Sequence, residues 1–367
     1  MKRILLLIKG LSPGGAEQLL VSAAPYRDTR RFEYRVAYVV TLKHSIAGEL
    51  KAAGLPVVGL DGDRGAGWMA RLRALVKREQ IDLIHSHLPY AAVGARLALS
   101  RREVKHVYTE HAVWDMYHKV TYWGNAATFH RNDHVFAVSQ HVRRSIRYPA
   151  PLRFLPMPPV ETLYHGIDPR SVVPWTDGDG VRRELGISDT APLVGTVSNF
   201  GPMKGQEYLL DALQLVRRSF PDVRAVLVGQ GRFERAMRRR AHELGLDDIV
   251  IFTGYRPDAP RIAGAFDVFA LPSVKEGLSI ALIEAMAQGK ASVVTNAGGS
   301  REVVRDGIEG IVVPTRNHEA LAGGLVNLLR DQGWRDRMGE AARMRAKDFD
   351  IRFAVRRMEE VYGELLS

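Results

Sequence analysis

Two glutamates eight residues apart carry the most specific chemistry in this 367-residue chain. They lie in Ser273-Val-Lys-Glu276-Gly-Leu-Ser-Ile-Ala-Leu-Ile-Glu284-Ala-Met-Ala-Gln-Gly289. Glu276 falls in a loop after the apolar run 268–270, and Glu284 falls inside the apolar helix expected to follow. A carboxylate within such a helix costs stability unless it meets a partner, so Glu284 is expected to point toward a ligand-binding end. Ionised carboxylates only accept hydrogen bonds, which suits them to sugar hydroxyls, one glutamate on a hexose and the other on a ribose.

Two glycine loops are suited to phosphate. The first apolar run ends at Lys9-Gly-Leu-Ser-Pro-Gly-Gly-Ala-Glu17, ahead of an expected helix over 18–24. Adjacent glycines at a strand-to-helix turn let backbone N–H groups approach a phosphate, and the helix N-terminus adds partial positive charge. A tight turn demanded by packing alone explains the same glycines. The pattern is not Gly-x-Gly-x-x-Gly, and no acidic residue stands where a dinucleotide-binding protein needs one, which argues against a dehydrogenase. A second loop, Asn199-Phe-Gly-Pro-Met-Lys-Gly205, places Lys204 where it would neutralise a diphosphate leaving group; a solvated loop lysine is the plain alternative.

Histidines close two further runs, in His85-Ser-His87 and Thr109-Glu110-His111. A metal site from His85, His87 and His111 lacks a carboxylate at ligand spacing, so no metal is assigned. Asp61-Gly-Asp63 and Asp177-Gly-Asp179 resemble Asp-x-Asp metal–diphosphate motifs but sit in glycine-rich surroundings and read as turns. The segment 114–131 mixes Trp114, Tyr117, Tyr122, Trp123 and Phe129 with basic residues. It fits either an interfacial surface facing a bilayer or lipid-linked acceptor, or a helix burying its aromatics against the N-terminal sheet.

The elements that must position these residues are legible as apolar runs. Strands are expected at 4–8, 34–40, 83–85, 104–109, 135–138, 193–198, 224–228, 250–252, 268–270, 291–295 and 310–313. Most lack polar alternation and run into glycine or a small polar residue, the pattern of parallel strands buried on both faces. Amphipathic segments such as 206–219 and 232–244 suit crossover helices, so the class is α/β with parallel sheets. A length of 367 residues favours two domains. The proline- and glycine-rich stretch 148–190 separates two series: a first Rossmann-like domain over 1–165, a linker over 166–184 and a second domain over 185–350. The terminal amphipathic segment 351–367 is expected to pack back onto the first. Cysteine is absent, which removes disulfides and thiol chemistry. The N-terminus imitates a secretory signal, but its apolar core spans only 4–8 with no small-residue cleavage site. The expected location is the cytoplasm, with peripheral association at the inner face of the cell membrane. A net charge of +11 calls for an anionic partner. Its arginine groups include Arg101-Arg102, Arg143-Arg144 and Arg238-Arg239-Arg240, each readable as a solvated helix face.

The stretch from Glu276 to Glu284 resembles the Glu-x7-Glu motif of the retaining family 4 glycosyltransferases of the GT-B fold. Further matching pieces occur in family order across nearly the whole chain: Gly14-Gly15-Ala16-Glu17, the acidic and serine pattern over 133–139, and His165-Gly-Ile-Asp168. Val228-Gly-Gln-Gly231, Phe252-Thr-Gly-Tyr255 and Asn296-Ala-Gly-Gly-Ser-Arg-Glu302 continue the series. The resemblance implies two Rossmann-like domains facing across a cleft and a nucleotide-diphosphate sugar as co-substrate, with a UDP-sugar preferred and no divalent metal. It implies that Glu276 and His111 are catalytic, touching the donor sugar. Gly277, Leu278 and Ser279 support sugar or phosphate, Glu284 holds the ribose, Lys204 binds the diphosphate, Tyr255 and Arg256 flank the base, and Gly15 approaches the phosphates. Glu17 and His87 are acceptor-side candidates, for a saccharide or lipid-linked saccharide in envelope polysaccharide synthesis. One departure stands out: the family places an arginine five residues before the lysine, where this chain has Asn199, a neutral amide. A nucleotide-sugar epimerase or phosphorylase-like enzyme would share the fold. A basic nucleic-acid-binding protein would leave the paired glutamates and both glycine loops unexplained.

Overall fold

Runs such as Ile4-Leu-Leu-Leu-Ile8, in which no side chain is more than 2% exposed, can only be strands covered on both faces. The computed structural model describes residues 1–42, 45–61, 65–170 and 178–367. Its strands are β1 (Lys2–Ile8), β2 (Phe32–Tyr38), β3 (Val57–Gly59), β4 (Leu83–His87), β5 (Lys105–Glu110), β6 (His134–Ala137) and β7 (Val160–Thr162), then β8 (Leu193–Val197), β9 (Arg224–Val228), β10 (Val250–Gly254), β11 (Val268–Leu271), β12 (Ser292–Thr295) and β13 (Gly310–Val313). They form two all-parallel sheets, ordered β3-β2-β1-β4-β5-β6-β7 and β10-β9-β8-β11-β12-β13. Each apolar run became a strand. β3 and β7 were not read from the sequence: both are three-residue, half-buried edge strands, β3 within the short run Leu55-Pro-Val-Val-Gly-Leu60 broken by proline and glycine, and β7 with no apolar run at all.

The chain divides into two compact units, Met1–Asp168 with Ile351–Ser367, and Pro169–Asp350. Of the expected linker 166–184, residues 171–177 lie outside the described residues, and Gly178–Glu184 is helical. Gly62, Asp63 and Asp177, from the two Asp-Gly-Asp turns, also lie outside them.

The terminal helix Ile351–Leu366 belongs to the first unit by its polar anchors as well as its apolar face. Buried Glu359 accepts hydrogen bonds from the Tyr34 hydroxyl at 2.6 Å and the Asp28 N–H at 2.8 Å. Tyr362 bonds His85 of β4.

Candidate active site

Strand order reverses between β8 and β11 in the second sheet, because successive crossovers from β8 run one way and the chain returns to its other side. The loops leaving the C-terminal ends of two such strands diverge and open a crevice where ligands of open α/β sheets bind. Here those loops are 198–205 and 272–279. Lys204 Nζ donates to Glu276 Oε2 at 2.8 Å, and the Ser273 hydroxyl donates to the same oxygen at 3.1 Å. Glu276 is buried while Lys204 is about one-third exposed, so the pair presents its ammonium outward. Backbone contact ties the loops together: the Val274 N–H donates to the Met203 carbonyl at 2.8 Å. Gly205 lies at φ +67°, and a Cβ there would stand 2.0 Å from the Pro272 carbonyl oxygen. Gly298 lies at φ +55°, where a Cβ would come within 1.7 Å of the Glu276 carbonyl oxygen. Both glycines are required by close backbone approach as well as by φ.

Gly277 and Ser279 are buried at the end of the Glu276 loop, with Leu278 half-buried between them. Ser279 caps the helix Ile280–Ala287, its hydroxyl accepting from the Leu282 N–H at 3.3 Å. Glu284 sits in the middle of that apolar helix, half-buried. Among the described residues its carboxyl has neither a hydrogen-bond donor nor a cation beside it, and burial pushes it up from 4.5 to about 7. A carboxyl kept in this state costs stability, and donors from a ligand would relieve it.

Asn199 is exposed at the mouth of the same loop, and its carbonyl accepts from the Gln206 side chain at 3.1 Å. Lys204 is the one cation within 199–205. Tyr255 is 36% exposed. Arg256 is engaged: it grips Asp258 through two bonds of 2.8 Å and Glu184 at 2.6 Å, and these acids hold its guanidinium firmly charged. Arg256 therefore shapes the loop after β10 and is not an unclaimed cation.

In the first sheet order reverses between β1 and β4. The loop after β1 leads into the helix Gly15–Ala23, with Gly15 exposed at its first position. Glu17 folds back over Gly14, and burial raises its carboxyl to about 7 against the opposing effect of its own N–H. Four histidines converge here from strands distant in sequence. His85 is held through Nε2 by the Thr109 hydroxyl at 2.7 Å, and its ring stacks on His87 at 4.5 Å. His87 Nδ1 bonds His111 Nε2 at 3.0 Å, and His111 stacks on His165 at 5.4 Å. Burial, with mutual repulsion among the rings, holds His85, His87 and His111 well below their ordinary range, and burial alone takes His165 to about 4. The cluster is neutral at physiological pH. His87 Nε2 and both nitrogens of His165 have no partner among the described residues. These two rings help to line a small pocket shared with Arg27, Tyr34, Glu359 and Tyr362. Among the described residues no group of three or more His, Asp or Glu is arranged to hold a metal ion.

Sequence reasoning missed the network that aims this loop. Glu110, wholly buried at the end of β5, accepts from Trp114 Nε1 at 2.9 Å, from the Tyr117 hydroxyl and from Asn125 at 3.4 Å. Arg96, also buried, donates to Asn125 at 2.7 Å. Burial raises Glu110 to about 7 despite these donors. The visible hint was an acid at a strand end with a tryptophan four residues on. Of the two readings of 114–131, burial accounts for Trp114 and Phe129, and the polar network accounts for Tyr117. Val120 and Trp123 remain exposed.

Two Rossmann-like units of this topology, the second with a lysine–glutamate site at its switch point, define a glycosyltransferase of the GT-B fold. Residues 7–171 match the family described as Glycosyltransferase Family 4, and residues 179–345 match Glycosyl transferases group 1. A GDP-mannose-dependent alpha-(1-6)-phosphatidylinositol monomannoside mannosyltransferase of Mycolicibacterium smegmatis is 32% identical over 297 residues, 76% of this chain and 75% of the relative. An N-acetyl-alpha-D-glucosaminyl L-malate synthase of Bacillus anthracis is 26% identical over 310 residues, 81% of this chain and 78% of the relative. The crystal structure of Anabaena Alr3699/HepE with UDP and glucose superposes with a TM-score of 0.86 at 25% identity, over 99% of this chain and all of that one. The chain belongs to the family 4 and group 1 glycosyltransferases.

Proposed function

We propose that this chain is a retaining glycosyltransferase that moves a hexose or N-acetylhexosamine from a nucleotide-diphosphate sugar, preferably a UDP-sugar, to an acceptor hydroxyl. The observation that carries the reading is the switch-point site of the second unit. There Glu276 is buried and fixed by Lys204 and Ser273, while Glu284 lies nearby in sequence without a donor. In this reading Glu276 accepts hydrogen bonds from the donor sugar and Glu284 accepts from the ribose. Lys204, which has further N–H groups to offer, neutralises the diphosphate as the glycosidic bond breaks. With that lysine and the backbone N–H groups at the helix start carrying the leaving-group charge, no divalent metal is needed. Retention follows if the departing diphosphate itself takes the acceptor proton on the face it leaves, so no general-base carboxylate is called for. His111 is neutral and acts by positioning the sugar. Asn199 supplies no charge, which leaves Lys204 the principal cation of its loop. The UDP preference draws support from the Anabaena neighbour, whose structure holds UDP and glucose.

For the acceptor we infer a lipid-linked saccharide used at the membrane. The support is the charge of +11 and the phosphatidylinositol mannoside named for the Mycolicibacterium relative. The association we infer is peripheral, and no helix among the described residues is long and apolar enough to cross a membrane. The deciding experiment is thermal stabilisation by UDP, GDP, ADP and UMP with EDTA present, since a ligand that binds the folded state raises its melting temperature by mass action. Stabilisation by one nucleoside diphosphate, UDP expected, supports the donor and its metal independence together. No stabilisation at millimolar concentration would remove the reading's central support.

A further inference from the structure

From His134 to Val160 the chain has no Asp or Glu, yet it carries Arg143, Arg144, Arg147 and Arg153. All four are exposed. Each of the other basic groups is at least partly neutralised: Arg101 pairs with Asp133 at 2.7 Å, Arg238 with Glu234 at 2.9 Å and Arg240 with Asp211 at 2.7 Å. Among the described residues none of the four arginines of 143–153 makes an ion pair. Arg147 Nε merely donates to the Arg144 carbonyl, at 3.1 Å.

The same stretch exposes apolar side chains. Phe154 is 79% exposed and Met157 46%. Their display is a held conformation. Ile146 and Tyr148 are buried beneath the loop, the Tyr148 hydroxyl donates to the Pro156 carbonyl at 3.0 Å, and the Leu152 N–H donates to the Pro149 carbonyl at 2.9 Å. Five prolines, at 149, 151, 156, 158 and 159, stiffen it further. A protein that merely needed solvated charge here would have no use for a phenylalanine fixed in water beside four unpaired guanidinium groups.

We propose that the segment 143–157 of the first unit is the surface by which this chain docks onto an anionic phospholipid bilayer. It deepens the membrane association inferred above by naming where the contact is made. Guanidinium groups match phosphate geometry, a negative lipid surface attracts each of them, and Phe154 and Met157 would enter the boundary between headgroups and acyl chains. In 114–131 Trp114 and Phe129 are committed to the core and Tyr117 to Glu110, and the exposed Val120 and Trp123 lack the cluster of unpaired arginines that the 143–157 loop sets beside Phe154.

The test is co-sedimentation of the full chain with phosphatidylcholine vesicles and with vesicles containing phosphatidylglycerol, at physiological salt. Binding is expected with the anionic vesicles alone and should weaken as salt is raised. Each arginine near an anionic surface is worth roughly fivefold in partitioning, so Arg143→Gln with Arg144→Gln should lose roughly 25-fold. Phe154→Ser should lose roughly tenfold. Both variants should keep the wild-type melting temperature and its response to UDP. Wild-type binding that both variants retain would overturn this surface while leaving membrane association standing. No binding of the wild type would overturn both, without touching the UDP result on which the transferase reading rests. Equal binding to neutral vesicles, or displacement from anionic ones by a short oligonucleotide at equal charge, would overturn the choice of lipid as partner.

Discussion

Glu284→Gln should make the free protein more stable and the nucleotide complex weaker. The carboxyl rises from 4.5 to about 7 in the fold because it is buried without a donor. Such a rise corresponds to about 3 kcal/mol of destabilisation once the group is ionised. Partial exposure screens it, so about 1–3 kcal/mol is the expected effect. The sign follows from proton counting. Between pH 4.5 and 7 the folded protein holds more protons at this site than the unfolded chain, so stability falls as pH rises through that window and the full penalty is present above 7. A glutamine carries no such penalty. The stability gap between variant and wild type should therefore be near zero at pH 4.5 and full at pH 8. For a unit of this size that is about 2–10 °C in melting temperature. Nucleotide binding should move the other way. Losing charge-assisted bonds to ribose hydroxyls should weaken UDP by tenfold or more at pH 8, and wild-type affinity should itself fall from pH 8 to pH 6 as the carboxyl protonates. Differential scanning fluorimetry across pH, with and without UDP, reads both effects. A gap that does not change with pH would refute the burial argument, and UDP stabilising the variant as much as wild type would refute the ribose role.

Three further outcomes are expected. Lys204→Met strips buried Glu276 of its ammonium and should cost about 1–3 kcal/mol in urea denaturation; UDP should then stabilise no better than UMP, because the group that reads the second phosphate is gone. Gly298→Ala forces a Cβ to within 1.7 Å of the Glu276 carbonyl oxygen at φ +55°, and should cost at least about 2 kcal/mol by the same measurement while weakening UDP. His165 titrates near 4 in the fold against 6.5 ordinarily, so the unfolded chain takes up the extra proton between those values and wild-type stability drops as pH falls through 6.5. His165→Leu should escape that loss, gaining up to about 3 kcal/mol over wild type at pH 4 and little at pH 8, as chemical denaturation at the two pH values would show.

Composition and pattern by themselves determined the class of this protein. Strands buried on both faces must be apolar throughout, so runs such as 4–8 and 224–228 declare themselves, and glycine-bounded turns mark where they end. The paired glutamates could be read because an acid inside an apolar helix has no structural excuse. Local pattern could not reveal β7, since an edge strand of three half-buried residues needs no apolar run, and it hid β3 behind Pro56 and Gly59, which read as a turn. Nor could it reveal that Arg256 is bound by Glu184, 72 residues away, or that Lys204 meets Glu276 across the same separation. The first pairing joins the loop after β10 to the helix Gly178–Glu184; the second depends on the crossover order that sets β8 beside β11 and on glycines that let two backbones touch. The neutral histidine cluster is likewise a product of β4, β5 and the loop after β7 lying together, with a terminal helix closing over them. Which side chains a site contains was written locally; which of them are paired, buried or left waiting for a ligand was decided when distant strands became neighbours and water was excluded between them.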